Sequence, residues 1–109
     1  MTFAVMQGDE QGSLRLTGEL DVAEADAFIE RASGEVPPDG DLVLELDELT
    51  FIDSSGVRAL VTIAGMLRGG HRLVLQDPMP AVRRVLDLIG IGEAAAAIEV
   101  RASNGQEQP

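Results

Sequence analysis

The chain has 109 residues, 45% of them hydrophobic, with no cysteine and a formal net charge of −11. That is the size of one domain with enough apolar material for a packed core, and it excludes a disulfide framework or a thiolate metal site. The acidic field repels phosphate backbones and anionic membranes, so nucleic-acid binding is not expected and a partner with a basic docking face is favoured, although acidity also serves plain solubility.

Phe3 to Met6 reads as a short strand, and the polar stretch from Gln7 to Gly12, with two glycines, as a hairpin connection. Ser13-Leu14-Arg15-Leu16-Thr17 alternates polar and apolar, the period-2 mark of a half-buried strand, with Leu14 and Leu16 inward and Gly18 ending the pattern. Asp21 is placed to cap a helix, with Glu24 at the capping-box spacing. Val22, Ala25, Ile29 and Ala32 share one face of it, Gly34 closes it, and Pro37-Pro38 prevent its resumption. Leu42-Val43-Leu44-Glu45-Leu46 is the next strand; its apolar run predicts burial on both faces and a central position.

Asp47 to Thr50 reads as a linker leading to Phe51-Ile52 and then to Asp53-Ser54-Ser55-Gly56. A second helix follows, with Val57, Leu60, Val61, Ala64 and Leu67 as its apolar stripe, Arg68 in its last turn and Gly69-Gly70 as its stop. Leu73-Val74-Leu75 is a further strand. The third helix starts near Pro80 and buries Val82, Val85, Leu86 and Ile89; Gly90 suits the position after its end, with Ile91 as the accompanying apolar contact. Glu93 to Ala97 has the composition of one helical turn, and Ile98 to Arg101 that of a last strand.

The predicted order is β-β-α-β-α-β-α-β: an α/β single domain with a mixed sheet of about five strands and about three helices. Crossovers through helices make successive strands parallel, and the opening hairpin adds an antiparallel edge. The domain is expected over residues 1–101, with a disordered tail over 102–109. No apolar run approaches the ~18–20 residues of a membrane span. Met1-Thr2-Phe3-Ala4-Val5-Met6 has neither the basic leader nor the long apolar stretch of a signal peptide.

Around Asp53 the residues suit a particular chemistry. Asp53 is a good N-cap, and Ile52 and Val57 fall at the hydrophobic-staple positions. Ser54 then lies in the first turn, exposed at a strand end, where ligands meet α/β sheets. Ser55 and Gly56 are small enough for another backbone to come close. From residue chemistry alone an ordinary helix cap is the simpler reading. His71, after two glycines, reads as a surface turn residue; a Ser54–His71–Asp53 triad would need an Asp free to orient the histidine. Paired histidines for a metal and a phosphate-binding GxxxxGK loop are both missing from the sequence. Neither a catalytic residue, a metal nor a cofactor is expected, and the chain is not expected to be an enzyme.

Three stretches in order carry a resemblance: Leu16-Thr17-Gly18-Glu19-Leu20-Asp21, Leu49 to Val57 with Asp53-Ser54-Ser55-Gly56 at its centre, and Pro80 to Ile91. Together they resemble the STAS domain, and in particular the single-domain anti-sigma factor antagonists of bacteria, from about Leu14 to Arg101. The resemblance implies a cytoplasmic partner switch. The unphosphorylated protein binds an anti-sigma factor that is also a serine kinase and so frees a sigma factor. Phosphorylation of the serine after the aspartate, here Ser54, ends that complex, and a phosphoserine phosphatase resets it. On this reading Asp53, Ser54, Ser55, Gly56 and Arg58 form the partner-binding surface, with Asp21 beside it, and the high charge favours a monomer when free. The alternative is a STAS adaptor subunit of a membrane transport complex without a phospho-switch. Many members end with a further helix, where this sequence has Ser103-Asn104-Gly105-Gln106-Glu107-Gln108-Pro109.

Overall fold

The computed structural model describes residues 3–91 and 97–102. Five strands form one sheet: β1 (Phe3–Gln7), β2 (Leu14–Leu20), β3 (Leu42–Ile52), β4 (Leu73–Gln76) and β5 (Ile98–Arg101). Three helices alternate with them: α1 (Val22–Ser33), α2 (Ser54–Ala64) and α3 (Pro80–Ile89). The spatial order of the strands equals their chain order. β1 is antiparallel to β2 and every other neighbour is parallel, so β3 is central, as its apolar run predicts. The tail expected over 102–109 and the turn expected over 93–97 lie outside the described residues, apart from Ala102 and Ala97.

A sheet laid down in chain order with right-handed crossovers carries all of its helices on one face. One apolar core accordingly joins Leu14, Leu16, Leu44 and Leu75 of the sheet to Phe28 of α1, Leu60 and Ile63 of α2, and Val82 and Leu86 of α3. Phe3 meets Phe28 edge to face, with ring centroids 6.1 Å apart, which closes the β1 edge onto α1.

The structure lengthens β2 and β3 relative to the sequence reading, and for one reason. Pairing of β2 with β3 slips between Arg15 and Thr17 and again between Gly18 and Glu19. Each slip absorbs one extra residue on β3, as a β-bulge does. The inward side chains of β3 therefore fall at Leu46, Leu49 and Ile52, three apart rather than two. That spacing hides a strand from a period-2 search, and Asp47 to Thr50 is strand, not linker. Gly18 lies within β2 at φ 91, beside one of the slips, and does not end it.

The helices correct the reading at single positions. In α1 the buried face is Ala25, Phe28 and Ala32; Val22 is 74% exposed, being N1 of the helix and ahead of the core. Helix α2 stops at Ala64, with the Gly65 amide closing on Val61 and Ile63, so Arg68 and Gly69-Gly70 lie beyond it. Its buried set is Val57, Ala59, Leu60, Ile63 and Ala64, while Val61 is exposed and Leu67 packs at the core edge. In α3, Pro80 is N1 and Gly90 is left-handed at φ 72 as expected, and Ile91 is buried; Val82 and Leu86 face the core, Val85 is half-buried and Ile89 is exposed.

On the face of the sheet away from the helices, Glu45 ties the hairpin to the central strand. Its side chain is 5% exposed and accepts from the amides of Asp9 and Glu10 and from the Ser13 hydroxyl, while the Arg15 guanidinium lies 2.7 Å from Oε1. Burial pushes the Glu45 carboxyl up, but the Asp9 amide, the Ser13 hydroxyl, the Glu10 amide and the Arg15 charge together hold it below the usual carboxylate range. A carboxyl with a depressed folded-state pKa contributes stability above its unfolded pKa, and that contribution is lost as pH falls through the folded value. Glu45→Ala should therefore lower stability by about 3 kcal/mol at neutral pH, since it strands a partly buried cation and three donors. The same variant should flatten the loss of stability on the acid side, measured by urea unfolding at a series of pH values.

Candidate functional site

The strongest candidate forms where two parallel strands end side by side. Leu20 of β2 pairs with Ile52 of β3, and the next residue in each chain segment is an aspartate that caps a helix. Asp21 and Asp53 have nearly the same backbone, φ −122, ψ −170 and φ −120, ψ −171. Two helices thus start together at one edge of the sheet, and their unpaired amides and dipoles make that edge locally favourable to negative charge.

The caps differ in strength. Asp21 Oδ1 accepts from the Ala23 amide at 3.1 Å, and among the described bonds Glu24 joins this cap only by its backbone amide, not through its side chain. Asp53 Oδ1 accepts from two amides, Ser55 at 2.9 Å and Gly56 at 3.1 Å, and its own amide donates to the Leu20 carbonyl at 3.4 Å. Ile52 and Val57, the expected staple, are both buried.

With its carboxylate bound to the helix, Asp53 leaves Ser54 as N1 with an exposed side chain, and none of the described hydrogen bonds uses the Ser54 hydroxyl. Ser55 is half-buried. Arg58 is exposed, stands one helical turn after Ser54, and makes no ion pair with the described residues. Ser55 and Arg58 line one side of a groove of about 210 Å³ between α2 and α1, whose other wall includes Val22, Asp26 and Ile29. Sequence reasoning missed Val22 and Asp26, because Val22 was assigned to the core; an apolar N1 residue ahead of the buried stripe is the signal that could have found it.

Gly56 is the exception among the predicted surface residues. It is buried, and the backbone that comes close to it is the chain's own: a β-carbon there would sit 2.7 Å from the Leu20 carbonyl oxygen and 2.6 Å from Ile52 Cγ1. His71 is held far from Ser54. It precedes β4 beside the start of β3, whereas Ser54 follows the end of β3, about 30 Å away at strand rise. Its ring nitrogens lie 2.9 Å from Asp39 and 3.2 Å from Asp41, which raise its pKa against the opposing effect of burial. The triad geometry is thereby excluded. Among the described residues no group of three or more His, Cys, Asp or Glu is placed to hold a metal, and no helix is long and apolar enough to cross a membrane. Gly56→Ala should lower stability by about 1–3 kcal/mol through overpacking, read as a drop in thermal midpoint, whereas Ser54→Ala should leave it within about 0.5 kcal/mol.

Comparison with known proteins agrees with this architecture. An anti-sigma factor antagonist from Mycobacterium paratuberculosis superposes with a TM-score of 0.71 at 23% identity, over 90% of this chain and 86% of that one. A protein from Thermotoga maritima, described as a candidate anti-sigma factor antagonist, gives 0.71 at 22% identity over 95% and 89%. The anti-sigma factor antagonist SpoIIAA in its unphosphorylated form gives 0.68 at 22% identity over 96% and 91%. At that identity these likenesses concern the fold. The family model described as "Mlab, STAS domain" matches residues 3–100, nearly all of the described fold, and the chain therefore belongs to the STAS domain family.

Proposed function

We propose that this protein is an anti-sigma factor antagonist whose binding to an anti-sigma factor kinase is ended by phosphorylation of Ser54. The observation that carries the reading is the Ser54 hydroxyl: exposed, unbonded, and presented at a rigid helix start by an aspartate whose own oxygen is spent on two amides. A kinase needs such a hydroxyl, and a partner can pack over it while it is neutral. The architecture shared with anti-sigma factor antagonists supports the same role. The protein acts in the cytoplasm, by binding rather than by catalysis.

Phosphorylation adds a charge of about −1.5 to −2 and three acceptor oxygens. At the N-terminus of α2 that charge is tolerated by the fold, and Arg58, four residues on, is placed to pair with it. The surface that met the partner changes sign at the same stroke. The docked partner would have to cover a phosphate beside Asp53, and Arg58 would be drawn into the helix's own ion pair. Burying such a charge without a partner costs several kcal/mol. Asp21, Ser55 and the α1/α2 groove extend the contact surface, and Gly56 serves it from beneath by holding α2 against Leu20. A phosphoserine phosphatase restores the neutral state.

Incubation with the cognate anti-sigma factor kinase and ATP should add one phosphate, located at Ser54 by mass spectrometry. Ser54→Ala should accept none and keep its affinity for the kinase, while Ser54→Asp should bind about a hundredfold more weakly in calorimetry. Full affinity in Ser54→Asp, or a phosphate placed elsewhere, would overturn the switch.

A further inference from the structure

The face of the sheet opposite the described helices holds a second cavity, of about 260 Å³, framed by the β1–β2 turn, the middle of β3 and the end of β4. Strand register aligns Arg15, Glu45 and Gln76 in one row across it. Carboxylates outnumber guanidinium groups five to one in its lining, with Asp9 and Asp47 at the exposed rim. Glu45 is already committed to Arg15, Ser13 and two amides. Gln76 is not committed. It is only 8% exposed, it lines the cavity, and no described hydrogen bond engages its side-chain amide. Its amide meets solvent through the cavity, and a ligand that offers N–H donors can take that place.

We infer that this cavity is a recognition site for an arginine side chain of a protein partner, with the Gln76 amide oxygen as its floor and the Asp9 and Asp47 carboxylates as its rim. The chemistry selects that occupant. The surplus of carboxylates repels anions, and the described residues offer no cluster of three or more metal-ligating groups. Asp9 and Asp47 lie 3.1 and 3.6 Å from the Arg15 guanidinium but keep acceptor capacity on their exposed sides, above the neutral amide oxygen of Gln76. A planar group with several N–H donors satisfies both kinds at once, and a guanidinium sheds its water more readily than a compact ammonium. The overall charge of −11 steers basic partners toward the chain from any side. The site is separate from the Ser54 edge, because α2 packs on the other face of the sheet, so a partner held there would not be displaced by modification of Ser54.

The test is titration of the full ¹⁵N-labelled chain with N-acetyl-argininamide, with N-acetyl-lysinamide and N-acetyl-citrullinamide as the ammonium and uncharged controls. Saturable shifts at the Gln76 side-chain amide are expected for argininamide, about tenfold weaker binding for the lysine probe, and none for the citrulline probe. Gln76→Leu should weaken argininamide binding about tenfold while circular dichroism and the thermal midpoint stay native-like. Asp47→Asn, at a half-exposed rim position, gives the same reading should Gln76→Leu fail to fold. Shifts that do not saturate, that spread over the acidic surface, that are equal for lysinamide, or that survive in the folded variants would overturn the proposal.

Discussion

The carbonyl of Leu20 is the point on which the arrangement of the Ser54 edge depends. It ends β2, accepts the amide of Asp53 where β3 ends, and takes the close approach of Gly56 from α2. Only a residue without a β-carbon allows that approach, so α2 is seated where a strand, its neighbour and a helix start converge. Ser54 owes its exposure to this seat. With Ile52 and Val57 buried on either side and Asp53 bound to two amides, N1 is the position left pointing outward.

The opposite face answers to a different constraint. Glu45 sits in the middle of the central strand, where a carboxylate would be costly, and is retained by four donors drawn from the hairpin. Those bonds fold the β1–β2 turn down over the sheet and give the face its second cavity. The two faces are thus specialised by their inward and outward rows: leucines toward the helices, and a polar row of Arg15, Glu45 and Gln76 away from them.

Much of this was legible in the residues. Alternation in Leu14–Thr17, the continuous apolar run of Leu42–Leu44, the Asp21 and Asp53 caps, and the Pro80 and Gly90 punctuation of α3 each express a local rule that the fold obeys. What escaped was set by pairing between distant segments. The bulges that carry β3 on to Ile52 arise from its register with β2, and no window on 47–50 reveals them. Likewise Phe28 packs in the core against Phe3, which lies 25 residues earlier in the chain, while Val22 is left outside it. At the candidate site, the Asp53 cap and the exposed first-turn position of Ser54 follow from the helix start alone, but the inward role of Gly56 required the position of Leu20.

The same geometry separates what phosphorylation can change from what it cannot. A phosphate on Ser54, as proposed, would face solvent at the start of α2 with Arg58 one turn on, and would displace no buried group. The Leu20–Asp53–Gly56 seat lies beneath it and is held by backbone atoms and a committed carboxylate. Phosphorylation as proposed would therefore leave the fold unchanged, and the two states would differ in what the surface presents. The proposed switch would need no conformational change in this protein: the free energy separating the states would be the desolvation of a phosphate, levied only when a partner tries to cover it.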